Sequence, residues 1–175
     1  GSQLFTREGG RTMGTIDRLR LHVGSGSKYF PGFVNIDRYA ARADVHCDCL
    51  KLSYEDHQVD ELYAIHLLEH FHRLNAEIAL TEWLRVLKHG GKLVLELPCL
   101  DKIVTHLIAK EKNIRLTLYG LYGDPHETKP GMEHKWAWSI EEIEVVLQEL
   151  GYRDVQVMEP KFHILARDMR VEAMK

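Results

Sequence analysis

The apolar positions of this chain change period as they run. Leu19-Arg20-Leu21-His22-Val23 alternates as a strand does, Gly24-Ser25-Gly26 interrupts it, and Phe33-Val34-Asn35-Ile36 is apolar again before Asp37. Ala43 to Cys47 reads as a third short strand, and after a polar stretch to Gln58, Glu61 to Ile65 reads as a fourth. The period then lengthens. Leu80, Trp83, Leu84 and Leu87 recur at helical spacing, with Asn75 as the expected N-cap, Glu77 in the first turn, and Lys88 and Gly90 as the stop. Lys92 to Leu97 is nearly continuous in apolar residues, as a parallel strand buried on both faces requires, and Pro98 ends it. A second helix is expected over 101–112. Ser139 and Glu142 form a capping box ahead of Ile143, Val146, Leu147 and Leu150, with Gly151 at the position after the helix. Val155 to Val157 and Arg170 to Ala173 close the chain as two strands.

Strands alternating with helices and ending in two consecutive strands predict an α/β fold, an open sheet that is mostly parallel with one antiparallel strand. A parallel crossover normally takes a dozen or more residues, and only residues 24–32 separate the first two strands, so the first crossover helix must shrink to about a turn. In such sheets ligands bind outside the carboxyl ends of the strands. That singles out the loops at 24–32, 37–42, 48–50, 66–72 and 98–100.

Composition narrows the function. A chain of 175 residues, 45% of them hydrophobic, suffices for one domain, expected over 17–175 behind a flexible N-terminal segment, 1–16, in which Gly1-Ser2 reads as a cloning scar and Met13 as a possible native start. A net charge of −3 gives no footprint for a nucleic acid. No apolar run reaches the roughly 20 residues of a membrane span, so the expectation is a cytoplasmic protein. Cys47, Cys49 and Cys99 contain no C-x-x-C pair and read as reduced structural thiols.

The chemistry concentrates at the predicted strand ends. Gly24-Ser25-Gly26 lets backbone approach a ligand closely. A dinucleotide fingerprint needs a third glycine and a helix N-terminus for pyrophosphate, whereas here Tyr29 takes the third position and Pro31-Gly32 leaves no room for a long helix. The pattern therefore favours a nucleoside cofactor without pyrophosphate. Asp37, ending the second strand, suits two ribose hydroxyls; Asp48 suits an adenine amine, with the N–H of Cys49 or Leu50 on a ring nitrogen.

With these residues in view, the sequence resembles the class I S-adenosylmethionine-dependent methyltransferases, in particular small bacterial ones linked to sugar or cell-surface polysaccharide pathways. The similarity spans roughly 19–174. It is carried by LHVGSGSKYFPGFVNIDR (21–38), VDELYAIHLLEHF (59–71), EWLRVLKHGGKLVLELP (82–98) and HKWAWSIEEIEVVLQELGY (134–152). The resemblance implies a single-domain Rossmann-like fold and S-adenosylmethionine as cofactor, with S-adenosylhomocysteine as product. Gly24, Ser25 and Gly26 would cradle it, with Asp37 at the ribose, Asp48, Cys49 and Leu50 at the adenine, His66 and Leu67 at the methionine part, and Arg38 among the cofactor-binding residues.

His66-Leu67-Leu68-Glu69-His70 also matches the H-x-x-E-H pattern of inverted zinc peptidases. That chemistry needs both histidines on one helical face. A motif directly after a strand puts His66 ahead of the helix, so no metal is expected. The segment 119–138 is long and rich in Tyr, His, Gly and Trp, which suits an acceptor site with Tyr122 and Trp136 as binding residues. For a hydroxyl acceptor, His70, His126 and His134 are the candidates to take the proton. The expected reaction is methyl transfer to oxygen or nitrogen of a small-molecule or glycan-type acceptor. The competing reading is a non-catalytic binding or partner subunit of the same fold, and oligomeric state is left open.

Overall fold

The computed structural model describes residues 18–175; the expected N-terminal segment 1–16 lies outside them. Six strands form one sheet: β1 (Arg20–Val23), β2 (Val34–Ile36), β3 (Val59–Ile65), β4 (Leu87–Pro98), β5 (Arg153–Met158) and β6 (Asp168–Met174). Their spatial order is β2-β1-β3-β4-β6-β5. β2, β1, β3 and β4 are mutually parallel, and β6 runs antiparallel to both of its neighbours. This is the mostly parallel open sheet with one reversed strand that the apolar pattern predicts.

The core lies on both faces of the sheet's middle. Leu93, Leu95 and Leu97 on one face of β4, and Val94 on the other, are all fully buried, which is why this strand reads as a continuous apolar run. Helix α1 (Arg73–Val86) buries Ala76, Ala79, Leu80 and Trp83, and α4 (Ile140–Leu150) buries Ile143, Val146 and Leu147. The Ser139 hydroxyl accepts from the Glu142 N–H at 3.1 Å, and Gly151 ends α4 in the left-handed region at φ +104°. Only half of the capping box closes on itself, because the Glu142 carboxylate is taken by Arg73 and Trp136.

Several boundaries differ from the sequence expectation. Residues 24–33 contain turns and no helix, so the first crossover is shorter still than a single helical turn. Ala43 to Cys47 is no full strand: one parallel bridge joins Val45 to Ile36, because the Asp44 carboxylate accepts the Asn35 N–H and takes the place of a ladder partner. Helix α1 begins at Arg73, with His72 rather than Asn75 at its cap, and it stops at Val86. Leu87 is already extended and pairs with Val59, so tertiary pairing ends the helix before Gly90. Helix α2 spans Leu100–Ile108, and Lys110, at φ +55°, lies beyond its end. The long connection to α4 holds a 3₁₀ turn at Ile114–Leu116 and the short helix α3 (Leu118–Tyr122). No helix among the described residues is long and apolar enough to cross a membrane.

Candidate active site at the carboxyl edge of the sheet

The chain leaves β1 through Gly24 and Gly26, both left-handed at φ +63° and +53°. A Cβ on Gly24 would sit 2.6 Å from Leu67 Cδ1, so only glycine lets this turn lie against the segment leaving β3. Nothing lies within 4 Å of a Cβ built on Gly26, which leaves open space above the turn. Buried Ser25 donates its N–H to the Ile36 carbonyl at 3.0 Å, tying the turn to the end of β2.

Asp37 stands at that end. Its Oδ2 accepts the Gly26 N–H at 2.9 Å, and its Oδ1 accepts those of Tyr39 and Ala40 at 2.8 and 2.9 Å. Burial pushes its carboxyl up, but these three N–H groups outweigh that and hold it below its usual value. Asp37 is therefore an anion that shapes the glycine turn, with acceptor capacity left for a hydroxyl ligand. Asp48 is more exposed. It accepts the Leu50 N–H at 2.9 Å, and Arg38 approaches its other oxygen at 3.5 Å. The Leu50 N–H assigned to an adenine nitrogen is thus engaged by Asp48. The Cys49 carbonyl accepts from Trp83 Nε1 at 2.9 Å, and burial together with Asp48 pushes the Cys49 thiol up to about 12, leaving it inert.

The end of β3 is built differently. His66 takes φ +52°, a conformation that costs a non-glycine residue about 1–3 kcal/mol. Its N–H donates to the Glu96 carbonyl at 2.7 Å, and its ring lies between two buried carboxylates, Nδ1 2.9 Å from Glu69 and Nε2 3.0 Å from Asp168. Both contacts are ionic rather than well-aligned hydrogen bonds, since among the described residues neither His66 Nε2 nor either Glu69 oxygen has an aligned partner. Burial disfavours the imidazolium, but Glu69 first and Asp168 second raise His66 to about 9. Against the burial that raises it, Glu69 falls to about 2, chiefly through His66 and then His70 and His134.

Asp168, the first residue of β6, is also held low, at about 2: burial raises it, but His66 and Arg167 prevail. Arg167 grips it in a fork, Nε to Oδ1 at 2.5 Å and Nη2 to Oδ2 at 3.1 Å. His163 lies against His66 with ring centroids 3.7 Å apart, and burial, then the His66 charge, lowers it to about 4. Sequence reasoning missed Glu69, His163 and Asp168 as site residues. For Glu69 the signal was the H-x-x-E-H run itself; Asp168 and His163 carry no local motif and arrive through the pairing of β6 with β4.

The connection after α2 reaches the same place. The N–H groups of Lys135 and Trp136 donate to the Glu69 carbonyl at 2.8 and 3.3 Å, and the His134 N–H donates to the Tyr122 carbonyl at 3.2 Å. His70 and His134 meet edge to face with centroids 5.0 Å apart. Trp136 stays partly exposed with Nε1 donating to the Glu142 carboxylate, whereas Trp138 is fully buried under Arg73. Tyr122 is exposed. His126 sits in an exposed turn, its N–H donating to Asp124, apart from the meeting of His70 and His134.

Residues 21–95 match the family model described as a methyltransferase domain. Among solved structures, the chain is similar to a SAM-dependent methyltransferase from Archaeoglobus fulgidus at 16% identity and a TM-score of 0.63, covering 90% of this chain and 86% of that one. It is similar to a possible histamine N-methyltransferase from Thermotoga maritima at 15% identity and a TM-score of 0.63, covering 90% and 82%. A putative O-methyltransferase from Nostoc punctiforme is 15% identical with a TM-score of 0.62, covering 91% of this chain and 52% of that one. No curated protein matches the sequence. The fold is that of S-adenosylmethionine-dependent methyltransferases of known structure, and the segment 21–95 is similar to a methyltransferase domain; both point to S-adenosylmethionine as the cofactor. The residues present fit that group: the turn is open above Gly26, and an ionised acid lies at the end of β2.

Proposed function

We propose that the chain transfers a methyl group to oxygen or nitrogen of a small-molecule or glycan-type acceptor bound between the end of β3 and the 119–138 connection. One observation carries this reading: the Glu69 carbonyl accepts the N–H groups of Lys135 and Trp136, which pins His134 and Trp136 beside the segment leaving β3, against which the glycine turn lies. Gly24 to Gly26, Asp37, Arg38, Asp48, Cys49, Leu50, His66 and Leu67 are proposed to hold the cofactor. S-adenosylmethionine, when bound, supplies a methyl already activated by its sulfonium. What is left for the protein is alignment, exclusion of water and, for a hydroxyl acceptor, removal of a proton.

His134 suits the last task. Its Nδ1 lies 2.9 Å from the Gly120 carbonyl, an acceptor only, so Nδ1 carries the hydrogen and Nε2 the lone pair. Burial lowers its pKa, with Glu69 pulling the other way, so the ring is neutral at pH 7. His70, with Nδ1 on the Glu133 carbonyl at 3.2 Å, is the second candidate base; His126 is proposed only as a residue of the acceptor rim. Trp136 and exposed Tyr122 offer faces on which a sugar or ring stacks. Nothing in the site favours the non-catalytic reading. The test is a screen of sugars and sugar-linked intermediates for methylation with labelled cofactor. Transfer of label to one of them, reduced in His134→Ala, is expected; cofactor binding without turnover on any oxygen or nitrogen acceptor would overturn the proposal.

A further inference from the structure

Two groups of side chains at the carboxyl edge hold enough imidazole and carboxylate to bind a cation: His66, His163 and Asp168, and Glu69, His70 and His134. They share the His66–Glu69 contact, yet their electrostatics are opposite. In the first, both His66 nitrogens already face carboxylates, and Asp168 is neutralised by the Arg167 fork and accepts the Ile164 N–H at 3.1 Å. That leaves only the His163 imidazole there for a metal.

In the second, His70 and His134 each present Nδ1 to a backbone carbonyl, Glu133 at 3.2 Å and Gly120 at 2.9 Å. A carbonyl donates nothing, so each ring carries its hydrogen on Nδ1 and turns a bare Nε2 away from it. The Glu69 side chain is only 2% exposed, and among the described residues neither of its oxygens has a hydrogen-bond partner; Oε1 lies 2.9 Å from His66 Nδ1. One ligand atom from each of the three residues lies within 4.8 Å of the others. Two imidazoles and a buried carboxylate without a hydrogen-bond partner, brought this close, form a ligand set that a cation can complete.

We infer that Glu69, His70 and His134 form a site for a divalent first-row transition-metal ion of the Zn²⁺ or Co²⁺ type, with coordination positions open toward the acceptor mouth. Two imidazoles and one carboxylate suit borderline ions of this kind and disfavour Mg²⁺, which takes oxygen. Ligands about 2.0–2.1 Å from a tetrahedral ion stand about 3.4 Å apart, so the three side chains need close by only about an ångström or so. The carbonyl bonds at both Nδ1 atoms are the outer-shell contacts that fix a ligand's tautomer and orientation. The sequence pattern points to His66 and His70 as partners; the fold replaces His66, held by Asp168, with His134 from the distant connection. Binding of the ion does not depend on methyl transfer. Its role would, and that role rests on the function proposed above: an acceptor hydroxyl on the open position would give up its proton to water at the mouth more readily, in place of proton removal by a free His134.

The test loads metal-free full-length protein with Co²⁺ or Zn²⁺ alone, without cofactor or acceptor. Expected are one tightly bound ion per chain by equilibrium dialysis with elemental analysis, and visible Co²⁺ bands of a tetrahedral or five-coordinate site. His70→Ala and His134→Ala should each weaken binding at least tenfold, while His163→Ala keeps wild-type affinity and Mg²⁺ fails to compete. Glu69→Gln is the sharpest variant, and a thermal melt checks that it folds; the two histidine variants decide the matter if it does not. Loss of binding in His163→Ala with retention in His134→Ala would overturn the assignment, as would wild-type protein that binds no ion. Calorimetry of S-adenosylmethionine binding, run separately, reports on the methyltransferase reading whatever the metal result.

Discussion

The two ends of the sheet's carboxyl edge are built on different principles. At β1 and β2 a single carboxylate, Asp37, is tied down by backbone N–H groups from neighbouring loops, and its farthest partner here, Gly26, is close in sequence. At β3 and β6 the charged groups hold one another: His66 bridges Glu69 and Asp168, and Arg167 grips Asp168. The first arrangement keeps an acid ionised and available to a ligand. The second buries its charges, so removing one partner leaves another uncompensated, a far larger perturbation than losing one exposed acceptor.

The largest effect should therefore come from the β3 end. His134→Ala is expected to lower kcat by about 10²–10⁴-fold with cofactor affinity near wild type, measured by single-turnover methyl transfer beside calorimetry. If kcat stays intact, the acceptor mouth does not use this residue. Next, Trp138→Ala should destabilise the fold by about 3–5 kcal/mol, because a fully buried indole is deleted, whereas Trp136→Ala should raise acceptor KM and leave the melting temperature nearly unchanged. Equal melting temperatures for the two variants would erase the distinction between a core and a rim tryptophan.

Acid should distinguish the ends further. His163 falls from 6.5 to about 4 on folding and Asp168 from 3.8 to about 2, so in both cases the unfolded chain binds more protons and stability rises with pH across the interval. The His163 contribution is lost between about 6.5 and 4, and that of Asp168 as pH falls from 3.8 through 2. Urea midpoints measured against pH should show the upper interval flattened in His163→Gln and the lower one in Asp168→Asn. A His163→Gln curve parallel to wild type from pH 6.5 to 4 would contradict the partial desolvation of that imidazole against His66.

The same contrast explains what the sequence made legible. The glycine turn, Asp37 and the buried strand β4 are local patterns, since a break in alternation, an acid at a strand end and a continuous apolar run need only a few neighbouring residues. Asp168 acquires meaning only when β6 pairs antiparallel with β4 and stands opposite Pro98, and His134 only when the connection pins itself to the Glu69 carbonyl. Helix α1 misled at both ends for a related reason. Asn75 is a good local cap, yet the chain starts at Arg73, whose side chain reaches Glu142 on α4, and it stops where Leu87 finds Val59. Propensity gave way to tertiary pairing. The edge piece at 43–47 failed as a strand because a side chain, Asp44, took the ladder's donor.

The smallest expected effect is also the one that bears most directly on the central claim, that the glycine-turn end holds S-adenosylmethionine through Asp37. Titration calorimetry of S-adenosylmethionine into wild-type and Asp37→Ala protein decides it. The account predicts one site per chain in the wild type and an affinity loss of about 1–3 kcal/mol in the variant, as a charged acceptor for the ribose hydroxyls disappears. Identical affinities in the two proteins, or no binding by the wild type, would contradict it.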